Sequence, residues 1–238
     1  MKALLTIFFS GWLLASTAQD SLNKYGLYVI DDAQVLLRTI QEDSNKSFVR
    51  IKDYVPGVVL DIKYATTQNV FYEKLYEKPH AYTRLPVAKA LAKAQQEFRQ
   101  HGVGLKIYDA YRPYRVTCRM WERLPDSVYM GKPWKGSKHN RGIAIDLTLV
   151  DWKTKKELAM PTPFDALVKA SHPDFMALPG SVIQNRKLLI DIMSKHGFSV
   201  DAVEWWHFNY TEGANYELLD IPPVQIEQLV KKSKIRKP

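Results

Sequence analysis

The sequence predicts a single α+β domain, in which helices flank a mostly antiparallel or mixed sheet. Three observations indicate this class. The chain has 238 residues, of which 46% are hydrophobic, and this is enough to form the core of one sizeable domain. Segments with the two-residue period of strands alternate with segments of helical period. Neither internal repeats nor a low-complexity linker divides the chain, so one domain is expected.

The first predicted elements are a strand and a helix. Residues 58–65, VVLDIKYA, alternate apolar and polar side chains as a half-buried strand does. Residues 84–102 follow as a helix, because Pro86 fits the first helical turn and Gly102 ends the pattern. The apolar stripe of this helix consists of Val87, Leu91, Ala94 and Phe98.

The rest of the domain continues this alternation. Residues 103–113 read as a strand, residues 113–124 as a helix, and residues 125–136 as a loop rich in Gly, Pro and Lys. The remaining predicted elements are a strand over 142–149, a helix over 183–196 and a strand-like segment over 198–210.

The two ends of the chain differ from its middle. Residues 1–18 combine Lys2, an apolar run over 3–14 and small residues after it, which indicates a cleaved signal peptide. A retained membrane anchor is the alternative, but the run is shorter than the roughly 20 residues of a spanning helix. We therefore expect a periplasmic or secreted protein without stable membrane insertion after cleavage. The predicted boundaries are a signal peptide over 1–18, an N-terminal extension over 19–50, a domain over 51–225 and a basic tail over 226–238.

Charge and cysteine content limit the possible functions. The formal net charge is +9, and part of the excess lies in the tail, which is expected to be solvated. A basic exported protein is attracted to an anionic cell envelope. No nucleic-acid-binding motif occurs, so no nucleic acid partner is expected. Cys118 is the only cysteine, so an exported chain forms no internal disulfide and depends on packing or a metal.

The stretch SKHNRGIAIDLTL, residues 137–149, carries the first candidate metal ligands. Its odd positions from 143 to 149 are apolar, so Asp146 lies on the opposite face of the predicted strand. A carboxylate inside a strand needs a partner or a metal to offset its desolvation, and His139 stands seven residues before it. His207, in EWWH, completes a set of three ligands of the type that catalytic zinc uses, with a fourth position left for water.

Glu204 is the candidate general base of such a site. It stands three residues before His207 and is suited to move a proton from the attacking water to the leaving amine. Positions i and i+3 point to opposite faces of a regular strand, so these two residues converge only through a bulge or a turn. Taken singly, each of these residues also fits a structural role in the core.

Other catalytic arrangements are not indicated. The H-E-x-x-H pattern of thermolysin-like helices does not occur. Cys118 lies in a helix-like stretch with no histidine near it in the sequence, which favours a buried thiol over a nucleophile. The histidines without recognisable ligand spacing are His80, His101, His172 and His196.

Together, the motifs DIKYAT, DAYRP, SKHNRGIAIDLTL and EWWHF resemble those of the D-alanyl-D-alanine dipeptidases, the vancomycin-resistance type of zinc peptidase in peptidase family M15. They occur in the family's order from Asp61 to Phe208, most of the chain after the predicted leader. The resemblance implies one Zn²⁺ per subunit, bound on the sheet by His139, Asp146 and His207. It also implies hydrolysis of the small dipeptide D-alanyl-D-alanine.

The resemblance implies roles for five further residues. Glu204 matches the family's catalytic base, and Arg112 matches the arginine that stabilises the tetrahedral intermediate. Asp165, in a Phe-Asp pair, matches the carboxylate that meets the free ammonium of the substrate. Tyr64 and Ser137 match further substrate-binding positions.

Two rival functions stay open at this point. One is a zinc D,D-carboxypeptidase acting on peptidoglycan peptides, and the other is a non-catalytic protein that binds peptidoglycan fragments. Asp165 favours a dipeptidase, because a carboxylate that pairs with a free amino terminus leaves no room for a longer chain. Glu204 and Arg112 argue against a binding-only protein, which needs neither. The sequence indicates neither the oligomeric state nor the physiological role, whether D-alanine scavenging or antibiotic resistance.

Overall fold

The computed structural model describes residues 22–212 and 216–235, which form sheets flanked by helices. The strands are β1 (Val29–Ile30), β2 (Phe48–Arg50), β3 (Val59–Leu60), β4 (Tyr82–Arg84), β5 (Val103–Asp109), β6 (Ala144–Asp151), β7 (Phe198–Val200), β8 (His207–Tyr210) and β9 (Leu218–Leu219). The helices are α1 (Ala33–Glu42), α2 (Ile51–Tyr54), α3 (Leu85–Gln100), α4 (Tyr114–Arg123), α5 (Gly180–Lys195) and α6 (Pro223–Ile235). Short 3₁₀ turns lie at Ser44–Lys46, Lys63–Ala65, His139–Arg141 and Lys169–Ser171.

The central sheet has five strands in the order β3-β5-β6-β8-β7. The β3–β5 pair is parallel, and the other neighbouring pairs are antiparallel. Leu105 of β5 faces Leu149 of β6, and both side chains are fully buried. Burial of one such side chain contributes roughly 1.5–3 kcal/mol to folding. The α+β class and the mixed sheet are therefore as the sequence predicts.

Helices α3 and α5 pack against each other and against this sheet. The predicted stripe of α3 is confirmed, because all four of its apolar side chains are fully buried. Pro86 lies in the first turn of α3, where its missing N–H leaves no hydrogen bond unmade. The long helices thus cover one face of the sheet, while the other elements frame a pocket at its end.

Three predicted strands are shorter than the sequence pattern indicates. The strand predicted over 103–113 ends at Asp109. The strand predicted over 58–65 keeps only β3, and a 3₁₀ turn at Lys63–Ala65 replaces its second half. The segment over 198–210 is a hairpin of β7 and β8 rather than one strand. Between them, Asp201 accepts a hydrogen bond from the backbone N–H of Val203, and the chain turns. This turn carries Glu204.

The N-terminal extension is ordered by the C-terminal part of the chain. Strand β1 pairs in parallel with β9, and β2 pairs antiparallel with β4. Helix α1 begins after Asp32, whose side chain accepts a hydrogen bond from the N–H of Gln34 at 2.7 Å. Because these elements are only two to ten residues long, no persistent period reveals them in the sequence.

These terminal elements enclose a second, smaller hydrophobic core. Its members are Ile30, Leu36, Phe48, Tyr82, Tyr111, Leu219, Ile221, Ile226 and Val230. Ile226 and Val230 stand four residues apart on α6 and are buried, so the solvated end predicted for residues 230–238 does not include Val230. Tyr111 connects this core to the pocket, since Arg112 follows it directly.

In the parts of the chain that the structure describes, every helix is too short or too polar to span a bilayer. The predicted signal peptide, residues 1–18, lies outside these parts. Cleavage and export therefore stay predictions, as do the domain boundaries.

Candidate metal centre and active site

All eight residues that the sequence analysis selects line one pocket at the end of the central sheet. They are Tyr64, Arg112, Ser137, His139, Asp146, Asp165, Glu204 and His207. The wall on one side comes from β6, the start of β8 and the segment that follows β5, and much of the wall on the other side comes from loops. The sheet wall carries the candidate metal ligands.

Three donor atoms converge on this wall. The His139 Nε2 atom lies 3.1 Å from His207 Nδ1 and 3.3 Å from Asp146 Oδ1, and His207 Nδ1 lies 3.0 Å from Asp146 Oδ1. Ligands about 2.0–2.2 Å from a tetrahedral zinc ion lie roughly 3.3 Å apart. The three donors therefore have the spacing that one zinc ion requires.

The hydrogen bonds of the two imidazoles favour metal binding. His139 donates its Nδ1–H to the backbone oxygen of Ala110 at 2.7 Å, which leaves Nε2 with a free lone pair. His207 donates its Nε2–H to Asn209 Oδ1 at 3.1 Å, which leaves Nδ1 free. Such outer contacts fix the tautomer and orientation of metal-binding histidines. Two lone pairs and a carboxylate oxygen this close repel one another unless a cation lies between them, so this donor set fits zinc.

Electrostatics support an ionised carboxylate at the centre of the set. Burial raises the pKa of Asp146, but the charges and hydrogen bonds of His139 and His207 outweigh burial and hold that pKa well below its usual range. Burial also lowers the pKa of His207, whereas its hydrogen bond to Asp146 raises it, to about 9 without a metal. The carboxylate thus attracts positive charge strongly, and a metal ion competes with a proton for the same place.

Strand pairing and one glycine position the ligands. Asp146 and His207 are direct partners in the antiparallel β6–β8 pair, so their side chains lie side by side on one face. His139 lies in the 3₁₀ turn before β6. This turn ends at Gly142, whose φ is +72°. A Cβ atom at Gly142 would lie 2.8 Å from the ring of Phe48, so only glycine fits there.

Glu204 and His207 converge because the chain turns between them. The N–H of His207 donates to the carbonyl oxygen of Glu204 at 3.3 Å, and a Glu204 carboxylate oxygen lies 3.9 Å from His207 Nδ1. The turn that the sequence analysis requires is therefore present. Burial raises the pKa of Glu204 to about 8, although the neighbouring His207 acts in the opposite direction. A carboxyl group with a raised pKa at this place is suited to accept and return a proton.

Trp205 ties this turn to the loop that carries Asp165. Its backbone N–H donates to the carbonyl oxygen of Ser171, and its Nε1–H donates to Thr162 Oγ1, both at 3.0 Å. The side chain is almost completely buried. Trp205 therefore connects the turn that carries Glu204 to the loop that carries Asp165.

Arg112 is held by a buried carboxylate that the sequence analysis missed. Asp109 Oδ2 accepts hydrogen bonds from Arg112 Nε at 2.9 Å and from Nη2 at 2.7 Å, and Tyr76 donates to Asp109 Oδ1 at 2.8 Å. Burial lowers the pKa of Arg112, but the negative charge of Asp109 outweighs burial. The pKa is therefore well above its usual value, and the guanidinium stays charged. Its Nη2 atom also lies 3.7 Å from Asp146 Oδ2. Arg112 is thus fixed beside the candidate metal ligands.

A signal for Asp109 exists in the sequence. Asp109 stands at the end of β5, two residues after Ile107, the last member of an alternating apolar series. In the structure a bulge between Ile107 and Asp109 shifts the register, so Asp109 lies opposite Asp146. A carboxylate at such a position needs a buried partner. No comparable signal identifies Tyr76, which reaches Asp109 from a loop.

Asp165 faces the pocket from the opposite wall. Tyr64 donates a hydrogen bond that reaches both carboxylate oxygens of Asp165 at 3.0 Å. Burial raises the pKa of Asp165 to about 7, and the charge of Asp146 adds to this. Asp165 has a positive φ of 61°, a strained conformation for a residue other than glycine. The strain and the raised pKa both indicate a carboxyl group that the fold holds in place for a ligand.

Ser137 and the histidines outside the set have different places. Ser137 Oγ accepts a hydrogen bond from the N–H of His139 at 3.2 Å, so it supports the metal-ligand turn and also lines the pocket. His172 approaches the Tyr129 hydroxyl at 3.2 Å, and His196 pairs with Glu97 at 2.8 Å. Among the described residues, the metal-binding geometry occurs at His139, Asp146 and His207.

Cys118 lies outside the pocket. Burial raises the pKa of its thiol, which is the opposite of what a cysteine nucleophile needs. The Cys118 side chain is half-buried rather than buried, which corrects that part of the prediction. Its hydrogen-bond partner is the Tyr114 hydroxyl, which is not a catalytic base.

Comparisons with known proteins agree with this site. The D-ala-D-ala dipeptidase family model matches residues 44–221. The D-alanyl-D-alanine dipeptidase of Escherichia coli strain K12 is 36% identical over 164 residues, covering 69% of this chain and 84% of that protein. The D-alanyl-D-alanine dipeptidase of Enterococcus faecium is 32% identical over 181 residues, covering 68% of this chain and 90% of that protein.

Among solved structures, a mutant of the vancomycin-resistance D,D-pentapeptidase VanY in complex with Zn(II) aligns with a TM-score of 0.37 and 12% identity, over 55% of this chain and 73% of that chain. The family assignment rests on the sequence matches, which span both walls of the pocket and include each of the eight residues. This chain belongs to the D-alanyl-D-alanine dipeptidase family.

Proposed function

We propose that this protein is a zinc metallopeptidase that hydrolyses the D-alanyl-D-alanine dipeptide to D-alanine. The observation that carries the proposal is the convergence of a complete zinc donor set with a carboxyl base, a fixed arginine and an ammonium-binding carboxylate in one pocket. In this proposal His139, Asp146 and His207 hold one Zn²⁺ per subunit. Zinc supplies a Lewis acid that activates water and polarises the scissile carbonyl.

Glu204 moves the proton. Its carboxylate stands beside the metal donors, and its side chain is 15% exposed, so bulk water competes little for the proton it takes up. A group with a raised pKa holds that proton long enough to deliver it to the leaving amine. The peptide bond breaks only if the amine leaves protonated, so one residue serves both halves of the reaction.

Arg112 stabilises the negative charge that develops on the carbonyl oxygen. Asp109 fixes its Nε and one Nη atom, so the guanidinium does not reorganise when the charge appears. A permanent cation with forked donors suits an oxyanion better than a neutral donor does. Asp109 therefore acts as a positioning residue.

Asp165 and Tyr64 select a substrate with a free amino terminus. Among the described residues, the Asp165 carboxylate has a hydroxyl partner but no ion pair, and burial is the main cause of its raised pKa. The ammonium group of a dipeptide supplies the missing positive charge. A peptide extended or blocked at its amino end leaves the carboxylate unpaired, which costs binding energy.

The rival functions make different demands on the same pocket. A D,D-carboxypeptidase needs space for a longer chain where Asp165 stands. A binding-only protein gains nothing from a carboxyl group with the position of Glu204. We further propose a periplasmic or secreted location, which the apolar run at residues 3–14 supports.

The test is hydrolysis of D-Ala-D-Ala, L-Ala-L-Ala and a pentapeptide ending in D-Ala-D-Ala, each with and without a chelator. We expect cleavage of the D,D-dipeptide only, lost with chelator and restored by zinc. Release of D-alanine from the pentapeptide would instead indicate a carboxypeptidase. Zinc binding without cleavage of any substrate would support the binding protein.

A further inference from the structure

A surface patch beside the pocket combines exposed aromatic rings with lysines. We define the aromatic–basic patch as Lys24, Tyr25, Lys132, Trp134 and Lys135. The Trp134 side chain is 43% exposed and Tyr25 is 36% exposed. Single exposed apolar side chains are common, but these two rings lie next to each other among lysines, and such a cluster often marks an interaction site.

The rings are held in place rather than left mobile. Trp134 packs edge-on against Trp121 of α4 with centroids 4.9 Å apart, and Tyr25 lies 6.4 Å from Trp134. The Asn23 amide donates to Tyr114 Oη at 3.2 Å, and Tyr114 donates to the carbonyl oxygen of Pro133 at 2.7 Å. The turn that presents Tyr25 is thereby joined to the loop that presents Trp134.

Asn23 also orders its own turn. Its side-chain oxygen accepts hydrogen bonds from the N–H groups of Tyr25 at 2.9 Å and Leu27 at 3.1 Å. A rigid platform loses little conformational entropy when a partner covers it. The fixed positions of Tyr25 and Trp134 therefore favour binding through their rings.

The charge of the patch is not compensated within the fold. Among the described residues, Lys24, Lys132 and Lys135 form no ion pair, although Lys24 lies 5.1 Å from the centre of the Tyr25 ring. Other surface cations, such as Lys195, pair with a carboxylate. Unpaired lysines around exposed aromatic rings are complementary to a surface that is anionic and apolar just beneath.

We propose that the aromatic–basic patch docks the protein onto the surface of an anionic lipid bilayer. Tryptophan and tyrosine rings lie favourably at the level of lipid headgroups, and each nearby lysine adds attraction to anionic lipids. This is adsorption to the surface, without a segment that spans the membrane. The inference does not depend on the peptidase reaction.

The order of the chain supports this occupant over others. Residues 15–23 separate the apolar run over 3–14 from Lys24, the first member of the patch. Nine residues span at most roughly 32 Å even when extended. Insertion of that run in a membrane before cleavage would therefore keep the patch within this distance of the bilayer.

The experiment is co-sedimentation of the chain from Gln19 onward, which keeps every residue that the structure describes. The vesicles are phosphatidylcholine alone or phosphatidylcholine with phosphatidylglycerol. We expect binding to the anionic vesicles only, and release at high salt because screening shortens the range of the attraction. Replacing two lysines, as Lys132→Gln with Lys135→Gln, weakens binding roughly thirtyfold.

Matched controls separate the patch from diffuse positive charge. Lys89→Gln with Lys93→Gln removes the same charge from the exposed side of α3, and Tyr72→Ser removes an aromatic ring that is 85% exposed elsewhere. Trp134→Ser with Tyr25→Ser is expected to weaken binding, whereas both controls bind like the parent. Equal weakening by the α3 pair, equal binding to both vesicle types, or no binding at all would overturn the proposal.

Discussion

The two walls of the pocket hold their carboxylates in opposite ways. On the sheet wall, Asp109 and Asp146 are nearly inaccessible and have charged or imidazole partners within 3.5 Å. On the loop wall, the hydrogen-bond partner of Asp165 is the Tyr64 hydroxyl, and a Glu204 carboxylate oxygen lies 3.9 Å from His207 Nδ1. The pKa of Asp146 is accordingly lowered, while burial raises the pKa values of Asp165 and Glu204 to about 7 and about 8.

This difference separates carboxylates that hold a partner in place from carboxylates that bind and release one. A paired buried carboxylate stays ionised and holds its partner, so the sheet wall is suited to fix a metal and an arginine. A buried carboxylate without a charged partner accepts a cation or a proton readily. The loop wall is therefore suited to bind the substrate ammonium and to transfer a proton. Strands give the first kind of site because their pairing sets side chains side by side, and loops give the second because they reach across the pocket.

The largest effect is expected on the sheet wall, from His139→Ala. Loss of one of three donors removes zinc, and water activation and charge stabilisation disappear together. Activity should fall at least roughly 1,000-fold. Metal content by mass spectrometry and the rate of dipeptide hydrolysis check this. The control is His101→Ala at the end of α3, which should keep both; a zinc-loaded, active His139→Ala protein would refute the ligand assignment.

Glu204→Gln is expected to have the next largest effect, with a different pattern. The amide keeps the shape but accepts no proton, so kcat should fall by roughly 100- to 10,000-fold. Because Glu204 is not a ligand, zinc content should stay at one per chain. If the variant loses zinc along with activity, Glu204 belongs with the sheet-wall residues and the distinction between the walls fails.

Asp165→Asn is expected to act mainly on KM. Loss of a charged partner for the substrate ammonium corresponds to roughly a ten- to hundredfold rise in KM for the dipeptide. The preference for the dipeptide over an amino-blocked analogue should shrink by a similar factor, and zinc should be retained. An unchanged preference would show that another group excludes longer substrates.

The pH dependence sharpens the same prediction. The ammonium binds the ionised form of Asp165, and its raised pKa of about 7 means that this form is lost as the pH falls. The charge of bound zinc favours the carboxylate, so the KM of the parent should rise below a pH at or under about 7. In Asp165→Asn, KM should not change over this range, whereas a parallel rise would assign the titration to a different group.

The smallest of these effects is expected from Asp109→Asn. The amide carries no negative charge, and its single oxygen cannot replace both the oxygen that accepts from Arg112 and the one that accepts from Tyr76, so the guanidinium is less well fixed. Kcat should fall about tenfold, with KM and zinc content nearly unchanged, because Arg112 acts on the transition state. A rise in KM with kcat unchanged would place Arg112 in ground-state binding instead.

Sequence patterns predict much of this fold and site, but not all of it. The long periodic elements α3 and β6 are predicted to within about two residues of their ends because tertiary contacts only reinforce their local pattern. The start of β5 is predicted correctly, but the strand ends four residues before the predicted end at residue 113. The break between β7 and β8 is not visible as a period, since a turn of a few residues carries no pattern. The second core is also missed, because it joins short elements from residues 29–50 with others from 218–230.

By itself, the sequence determined which residue types stand at which spacing: an Asp inside an apolar strand, a His seven residues before it, and a Glu three residues before another His. This information is enough to predict the family, the metal and a candidate general base, because their chemistry depends on residue type. Only the tertiary structure decided that Asp146 faces His207 across a strand pair, that a turn brings Glu204 to the same side, and that Asp109 fixes Arg112. These relations depend on register, on a turn and on burial, which arise from contacts between distant segments.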